Sequence, residues 1–413
     1  MVRLGAGARN AVWLVLMAAT LFLILLPISS YVAAVPVIRK EWGLSNTEVG
    51  LVFSALFVSY ALAALFVIPM TDRLRLRWII VGSAVLFAAA NLLFPLVARH
   101  LVTGLILRAA AGVGLVGVYM PGLRVVSERY SRGARGRAVG LWVTAFYLAN
   151  SGSLAITGGL MGWLDWTQAY SAMSLVSVAG IPLAFLLLRS YREPARHSSS
   201  GKLDLSVLKD PSVRYLVLGY SLHAVQLQSV RAWLPGFLLA ALVAGGADAD
   251  TSVAKAAAVA GTALTVGAVG PLIGGILSDR WGRANTAAAI FAVSGGCSWL
   301  IGWTIGMPWA FIVALSFVYG WSISADSAIY STGLTEVADR GRLGSIQAVQ
   351  AFLGFTGGAV GPVVFGGILD ISAESIRWGL GFSALGLMAV VAVPGLLRLR
   401  SLPQNRGLAG GKG

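Results

Sequence analysis

Two arginines inside long apolar stretches, Arg108 and Arg231, are the residues of this sequence best suited to bind a ligand. A guanidinium group keeps its charge and matches a carboxylate with two parallel hydrogen bonds. Placing it deep in an apolar helix costs on the order of 3 kcal/mol, so each arginine should face a cavity or a partner. We therefore expect the two to bind a small anion. The alternative is that their side chains extend to a polar surface.

Hydrogen-bonding side chains accompany both arginines. In a helix, Tyr220, His223 and Arg231 fall within about 80° of one another. Tyr119 follows Arg108 by about three helical turns, so both lie on one face. The pattern indicates hydrogen-bonding groups beside each guanidinium group, unless His223 is instead bonded within the core. The predicted substrate-binding residues are Arg108, Tyr119, Tyr220, His223, Gln226 and Arg231.

Asp326 is the only carboxylate deep inside an apolar stretch. An isolated buried carboxylate takes up a proton rather than staying ionised. The sequence leaves two roles open for it. Asp326 pairs with His223 or Arg231, or it carries protons and is then the candidate for coupling the protein to a proton gradient.

Long apolar helices must position these residues. The chain has 413 residues, of which 57% are hydrophobic and 11% charged, against about 25% charged in a soluble protein. A membrane-spanning helix needs about 20 mostly apolar residues, and about 34 residues per helix and loop give roughly 12 spans. We predict an all-α polytopic membrane protein with twelve transmembrane helices. The composition excludes a soluble enzyme, a disordered protein and a β-barrel porin.

A polar linker at residues 189–211 divides the chain into an N-terminal six-helix bundle, residues 1–188, and a C-terminal bundle with a short tail, residues 212–413. Short motifs recur at matching places in both bundles: residues 136–140 open the fifth span and 341–344 the eleventh. Two pseudo-symmetric bundles of this kind rock around a midplane site. The predicted spans are 11–36, 46–69, 78–98, 101–126, 137–163, 167–188, 212–242, 253–278, 284–305, 309–335, 342–369 and 377–399.

The positive charges predict the orientation. The net charge is +15, and about 24 of the 31 Lys and Arg residues fall in loops on one side. Because basic loops stay in the cytoplasm, both termini should be cytoplasmic. We expect an integral protein of a bacterial cytoplasmic (inner) membrane, with the lipid bilayer rather than nucleic acid as its partner.

The loop between the eighth and ninth spans carries the most specific motif. Gly275 should let these two spans approach closely. Asp279 is placed to cap the next helix and meet its positive end, with Arg280 and Arg283 at the lipid headgroups. The motif residues are Gly275, Asp279, Arg280, Gly282 and Arg283.

This loop resembles the signature G-x-x-x-D-R-x-G-R of the major facilitator superfamily. A degraded first copy keeps Asp72 and Arg73, but Ile68 and Arg75 replace its glycines. The resemblance implies that both loops latch the cytoplasmic side when the transporter opens outward; the alternative is loops that only set topology. Residues 108–114 are similar to the family's R-x-x-x-G-x-G motif in span 4. Residues 123–137, followed by 165–166, are similar to organic-anion and cyanate-type permeases.

The leading hypothesis is a secondary active transporter that moves a small organic or inorganic anion by alternating access, with a proton as coupling ion. One alternative is a proton-antiport exporter of drugs or amphipathic metabolites, and another is a non-transporting sensor or assembly partner. The resemblance implies a monomer. No phosphate-binding loop, nucleophile motif or metal-ligand spacing occurs in the sequence, so we expect no enzyme activity, catalytic residues, cofactor or metal.

Overall fold

A computed structural model of the chain describes residues 6–71, 73–130, 132–189, 191, 204–338, 342–402 and 408. All regular structure in these ranges is helical, and twelve segments are long and apolar enough to cross a membrane. The prediction of an all-α polytopic membrane protein is confirmed. The helices are α1 (Ala6–Leu25), α2 (Ser30–Trp42), α3 (Asn46–Met70), α4 (Leu76–Val97), α5 (Leu101–Arg129), α6 (Arg132–Leu160), α7 (Trp166–Arg189), α8 (Pro211–Ala244), α9 (Ala249–Gly267), α10 (Gly270–Trp281), α11 (Arg283–Ile301), α12 (Trp309–Ala325), α13 (Ser327–Val337), α14 (Leu343–Ile371) and α15 (Arg377–Ser401).

Three of the twelve spans are broken helices, whereas the sequence pattern predicted continuous ones. The first span divides between α1 and α2, the eighth between α9 and α10, and the tenth between α12 and α13. Pro27 and Pro271 lie at the first two breaks, where a proline removes a backbone donor and clashes with the preceding turn. Asp326 is the junction residue of the third break.

Six spans precede the linker and six follow it; we call these the N-half (α1–α7) and the C-half (α8–α15). Most of the predicted linker lies outside the described residues. Its end forms a 3₁₀ helix, Leu205–Lys209, whose Val207 is 1% exposed and packs in the C-half core. The division into bundles at 188 and 212 stays a prediction.

The two halves pack tightly at one end of the bundle. We call the end with the α3–α4 and α10–α11 loops the basic end, and the end with the α2–α3 and α14–α15 loops the opposite end. At the opposite end α3 meets α14, where a Cβ on Gly366 would lie 2.4 Å from Asn46 O. Likewise α6 meets α9, where a Cβ on Gly261 would lie 2.2 Å from Ala155 N. Only glycine permits so close an approach of two backbones.

A carboxylate fastens the halves at the opposite end. Asp370 Oδ1 accepts hydrogen bonds from Asn46 N (2.9 Å) and Asn46 Nδ2 (2.7 Å). Its Oδ2 accepts from Thr47 N (2.8 Å) and Thr47 Oγ1 (2.7 Å). Because these groups form the N-terminus of α3, the helix dipole favours the negative charge. The space between the halves is therefore closed at this end.

Candidate functional site

Arg231 places a positive charge between the two halves. It lies on α8, about 20 Å of helix from Ala244 at the opposite end. Its Cζ is 5.4 Å from the ring centroid of Tyr147 on α6, and its Nη1 donates to Gln228 Oε1 at 3.3 Å. In the ranges that the structure describes, no carboxylate forms an ion pair with Arg231. The charge thus faces the N-half with only neutral neighbours.

Tyr147 is one of four neighbouring tyrosines drawn from both halves, and we call them the tyrosine cluster. The Tyr147 hydroxyl donates to Ser327 Oγ across the interface at 3.2 Å. Tyr119 packs on Phe146 with ring centroids 4.4 Å apart. The hydroxyl of Tyr220 interacts electrostatically with those of the other three. The members of the cluster are Tyr60, Tyr119, Tyr147 and Tyr220.

The predicted substrate-binding set did not contain Tyr60 or Tyr147. Tyr60 is 2% exposed, and its ring centroid lies 4.3 Å from that of Phe355 on α14. The sequence did contain an indication that Tyr60 is unusual, because tyrosines in membrane proteins concentrate at the two membrane surfaces. Tyr60 lies about 21 Å along α3 from its first residue, near mid-depth. A tyrosine at this depth indicates a role other than anchoring.

Asp326 pairs with His223, one of the two partners that the sequence left open. His223 Nδ1 lies 2.8 Å from Asp326 Oδ1, and both side chains are almost fully buried. The Tyr330 hydroxyl donates to Asp326 Oδ2 at 2.9 Å. Tyr220 lies beside this group, with its ring centroid 6.0 Å from that of His223. The pair therefore adjoins the tyrosine cluster and leaves Arg231 without a carboxylate.

The structure does not bring Gln226 to this site. Its Nε2 donates to Ser298 Oγ at 2.8 Å, and its Oε1 accepts from Ser294 Oγ at 3.0 Å. The side chain is 1% exposed. Gln226 thus joins α8 to α11 inside the C-half. Gln226 was predicted as a binding residue from its place on the same apolar stretch as His223, and local spacing does not show that α11 engages its amide group.

Arg108 is likewise separate from the site. It is 2% exposed, and its Nη1 donates to Ile28 O at 3.1 Å, at the break between α1 and α2. Its Cζ lies 5.4 Å from the Tyr31 ring centroid, while its Nε has no acceptor among the described residues. Gly112 and Gly114 of the R-x-x-x-G-x-G motif pack against α3 and α4. In this conformation the contacts of Arg108 are with its own half.

Arg283 is held in a cluster of acceptors at the basic end. Its Nη1 lies 2.5 Å from Asp279 Oδ1 and 2.6 Å from Ser278 Oγ, and its Nη2 lies 2.8 Å from Glu336 Oε1. The side chain is 9% exposed, so it does not extend to the headgroups as expected. Asp279 does not cap α11 through its side chain either, because it belongs to α10 and pairs with Arg283.

The other motif residues lie as follows. Gly282 has φ of +89°, a conformation that favours glycine. Arg280 is exposed. Gly275 does not mediate close packing: a Cβ there would meet no atom within 4 Å, whereas one on Gly274 would lie 1.9 Å from Ala325 O.

The first copy of the motif is only partly described. Arg73 is exposed, and Asp72 lies outside the described residues. Within those residues, no group of His, Cys, Asp and Glu side chains could hold a metal ion.

Comparison with known proteins gives one family. Residues 17–362 match the model of the Major Facilitator Superfamily. The probable L-galactonate transporter of Escherichia coli (strain K12) is 22% identical over 83% of this chain and 79% of that protein. The gallate transporter of Pseudomonas putida is 24% identical over 89% of this chain and 88% of that protein. A bacterial homologue of the human lysosomal transporter Spinster, solved in an inward-facing and occupied conformation, has a similar fold: the TM-score is 0.75 at 16% identity, over 95% of this chain and 97% of the other.

Proposed function

The chain belongs to the Major Facilitator Superfamily, and on that premise we propose that it is a secondary transporter of a small organic acid anion. The observation that carries the proposal is Arg231, a guanidinium group deep between the halves with no carboxylate partner among the described residues. Two relatives named as transporters of organic acids, L-galactonate and gallate, support the same substrate class.

The substrate carboxylate binds Arg231 in this proposal. In an apolar site, a charge-assisted pair is stronger than a neutral hydrogen bond and fixes the orientation of the bound anion. Tyr147, Tyr119 and Tyr220 supply hydroxyl groups around it. Arg108 and Gln226, by contrast, serve the packing of their own halves.

Substrate release alternates between the two membrane faces in this proposal. The Asp370 contacts and the glycine approaches close the opposite end, so the site is reached from the basic end. Opening the opposite end requires Asp370 to leave the N-terminus of α3. The motif loops, through Arg283 and Glu336, stabilise the basic end once it closes.

His223 and Asp326 are the proposed proton-coupling pair. Asp326 is the only buried carboxylate in the described part of the chain. With a neutral imidazole the pair carries one negative charge next to the tyrosine cluster, and a proton on His223 neutralises it. Protonation therefore favours an anion at Arg231, and by reciprocity the anion favours protonation. Such coupling gives proton symport.

We further propose a bacterial inner membrane as the location, a monomer as the working unit, and a cytoplasmic basic end. The excess of Lys and Arg at that end supports the orientation. Labelling of the variant Arg280→Cys from each side of sealed vesicles tests the orientation. If this cysteine is labelled only from the outside of intact cells, the basic end is not cytoplasmic and the proposed orientation is wrong.

Uptake by the purified protein in liposomes tests the proposed transport function. Vesicles loaded with unlabelled L-galactonate or gallate should exchange it for the same labelled compound outside, and an inside-alkaline pH gradient should drive accumulation. Movement of lipophilic cations without any organic acid would favour the drug exporter instead. Ligand-dependent stabilisation without flux would favour a non-transporting sensor.

A further inference from the structure

Tyr147 of the N-half faces the guanidinium group of Arg231, and further aromatic rings of both halves continue from it along the interface. The Tyr147 ring centroid lies 5.4 Å from Arg231 Cζ. Across the interface, Phe355 of the C-half packs against Tyr60 of the N-half with centroids 4.3 Å apart. We call these rings the aromatic wall. Its members are Tyr60, Tyr119, Phe146, Tyr147, Tyr220 and Phe355.

Among the described residues, one fully buried hydroxyl group of the aromatic wall has no hydrogen-bond partner. Tyr60 is 2% exposed, and its oxygen forms no hydrogen bond with the described residues. A buried polar group left without a partner destabilises the structure that holds it. The contact of the Tyr60 ring with Phe355 on α14 places this hydroxyl at the interface of the halves rather than in a remote core. The structure therefore offers one hydroxyl that a ligand atom can satisfy.

We propose that the substrate is an aromatic carboxylate whose ring carries a hydroxyl group. This inference rests on the proposed function and narrows its substrate class. The carboxylate pairs with Arg231, and the ring packs among the faces and edges of the aromatic wall. Aromatic pairs in offset-stacked or edge-to-face contact are favourable beyond the area that they bury. The ring hydroxyl then bonds the Tyr60 oxygen.

A sugar acid fits the same surroundings less well. Each of its hydroxyl groups loses water on binding and needs a polar partner. On α6 and α14, the amide nitrogens of Asn150 and Gln350 already donate to Phe146 O at 3.1 Å and to Ser331 Oγ at 3.1 Å. The aromatic wall offers mainly ring faces, with single hydroxyls at their edges. Its chemistry therefore suits a flat ring.

Binding of three probes to the purified full-length protein tests the inference: 4-hydroxybenzoate, benzoate and D-galacturonate. Wild-type protein should bind 4-hydroxybenzoate about 2–13-fold more tightly than benzoate, the range that corresponds to one neutral hydrogen bond of about 0.5–1.5 kcal/mol. D-Galacturonate should bind more weakly than either. Isothermal titration measures all three affinities, and exchange in liposomes shows that the bound compound is moved.

Tyr60→Phe isolates the hydroxyl group. The variant should bind benzoate as tightly as wild-type protein and lose the preference for 4-hydroxybenzoate. Tyr215→Phe is the matched control, because Tyr215 packs against Gly395 within the C-half; it should keep the preference. Phe355→Leu keeps an apolar side chain and should weaken both aromatic acids several-fold. This second variant tests the ring packing even if Tyr60→Phe does not fold.

The outcomes separate the inference from the proposed function. Exchange of D-galacturonate or L-galactonate without either benzoate overturns the inference and leaves an organic-acid transporter. Exchange of no organic acid overturns the proposed function itself. An unchanged preference in Tyr60→Phe contradicts the assignment of the ring hydroxyl to Tyr60.

Discussion

The two deep arginines of this protein have opposite surroundings. Arg108 in the N-half is 2% exposed and donates to a backbone carbonyl at the break in the first span. Arg231 in the C-half is only partly buried and has a carboxamide and a tyrosine ring as neighbours. Both charges are expensive in a membrane. The protein's own backbone accepts from the first, whereas the second faces the space between the halves, so depth alone does not identify a binding residue.

The ion pairs of the two halves at the basic end also differ in their surroundings. In the N-half, Glu128 pairs with Arg124 from its own helix, at 2.8 Å. In the C-half, Glu336 pairs with Arg283 from a neighbouring helix, at 2.8 Å. Leu76 occupies the place in the first motif copy that Arg283 has in the second. The C-half ion pair therefore joins two helices, whereas the N-half pair lies within one helix and Arg124 reaches the end of α3 through a hydrogen bond from its Nη1 to Thr71 Oγ1 at 3.0 Å.

The largest expected effect is the loss of substrate binding in Arg231→Gln. Removing one member of a buried charged pair costs about 2–5 kcal/mol, or roughly 30-fold to several thousand-fold in affinity. Arg231→Lys should lose less, because it keeps the charge without the bidentate geometry. The liposome uptake assay measures these affinities. In the same assay Arg108→Gln should keep the wild-type affinity for substrate when the result is expressed per folded molecule. A loss of binding in Arg108→Gln at unchanged stability would reverse the comparison.

The next effect is the loss of coupling in Asp326→Asn. The side chain keeps its shape but its charge no longer depends on His223 or pH. Accumulation driven by a pH gradient should fall by about 5–150-fold, the usual size of a coupling between two sites. Exchange of labelled for unlabelled substrate should continue, since Arg231 is intact. Equal loss of exchange and accumulation would show that Asp326 only supports the fold.

Arg231 and Asp326 also show what the sequence could and could not predict. A single carboxylate in an apolar stretch identified Asp326, and its two possible partners were correctly limited to His223 and Arg231. The choice between them depends on which face of α8 meets the α12–α13 break, and local spacing does not contain that information. The same limitation explains Gln226, which faces α11 instead of the interface.

Span positions were predictable, because hydrophobic length alone sets them. The predicted span at 212–242 corresponds to Pro211–Ala244, and that at 377–399 to Arg377–Ser401. The breaks inside spans were not predicted, since an apolar run continues through them. The break after Pro27 explains why Arg108 binds within the N-half, because it leaves the Ile28 carbonyl available to accept from the guanidinium group.

A smaller effect, on stability, is expected for Arg108→Gln. The change leaves Ile28 O buried without its donor, at about 1–3 kcal/mol, and should lower the thermal midpoint in detergent by a few degrees. Arg99→Gln is the matched control. Arg99 Nη1 also donates to backbone carbonyls, Pro95 O at 3.0 Å and Ala98 O at 2.8 Å, but at the surface. Water replaces those bonds, so a larger loss in Arg99→Gln would contradict this account of Arg108.

Removal of the arginine from each ion pair at the basic end should lower the stability by different, small amounts. The Arg283 side chain is 9% exposed and has three acceptors, and Arg283→Ala should cost about 1–2 kcal/mol after allowance for its partly exposed partners. The Arg124 side chain is 35% exposed and also donates to Thr71 Oγ1 at 3.0 Å, so Arg124→Ala should cost less than Arg283→Ala. Thermal midpoints of both variants measure the difference. Equal midpoints would mean that the second copy of the motif adds no stability to the C-half.

The smallest effect belongs to the linker end, which the C-half holds with one more charged contact. Hydrogen bonds from Ser206 and from Arg342 lower the pKa of Asp204 from 3.8 to about 2. Because the pKa is lower in the folded state, the contact stabilises the protein above about pH 4, and this contribution is lost as the pH falls toward 2. The thermal midpoint of wild-type protein should exceed that of Asp204→Asn by a constant small amount between pH 5 and 7, and the gap should narrow only below about pH 4. A gap that closes near pH 6 would point to a histidine instead.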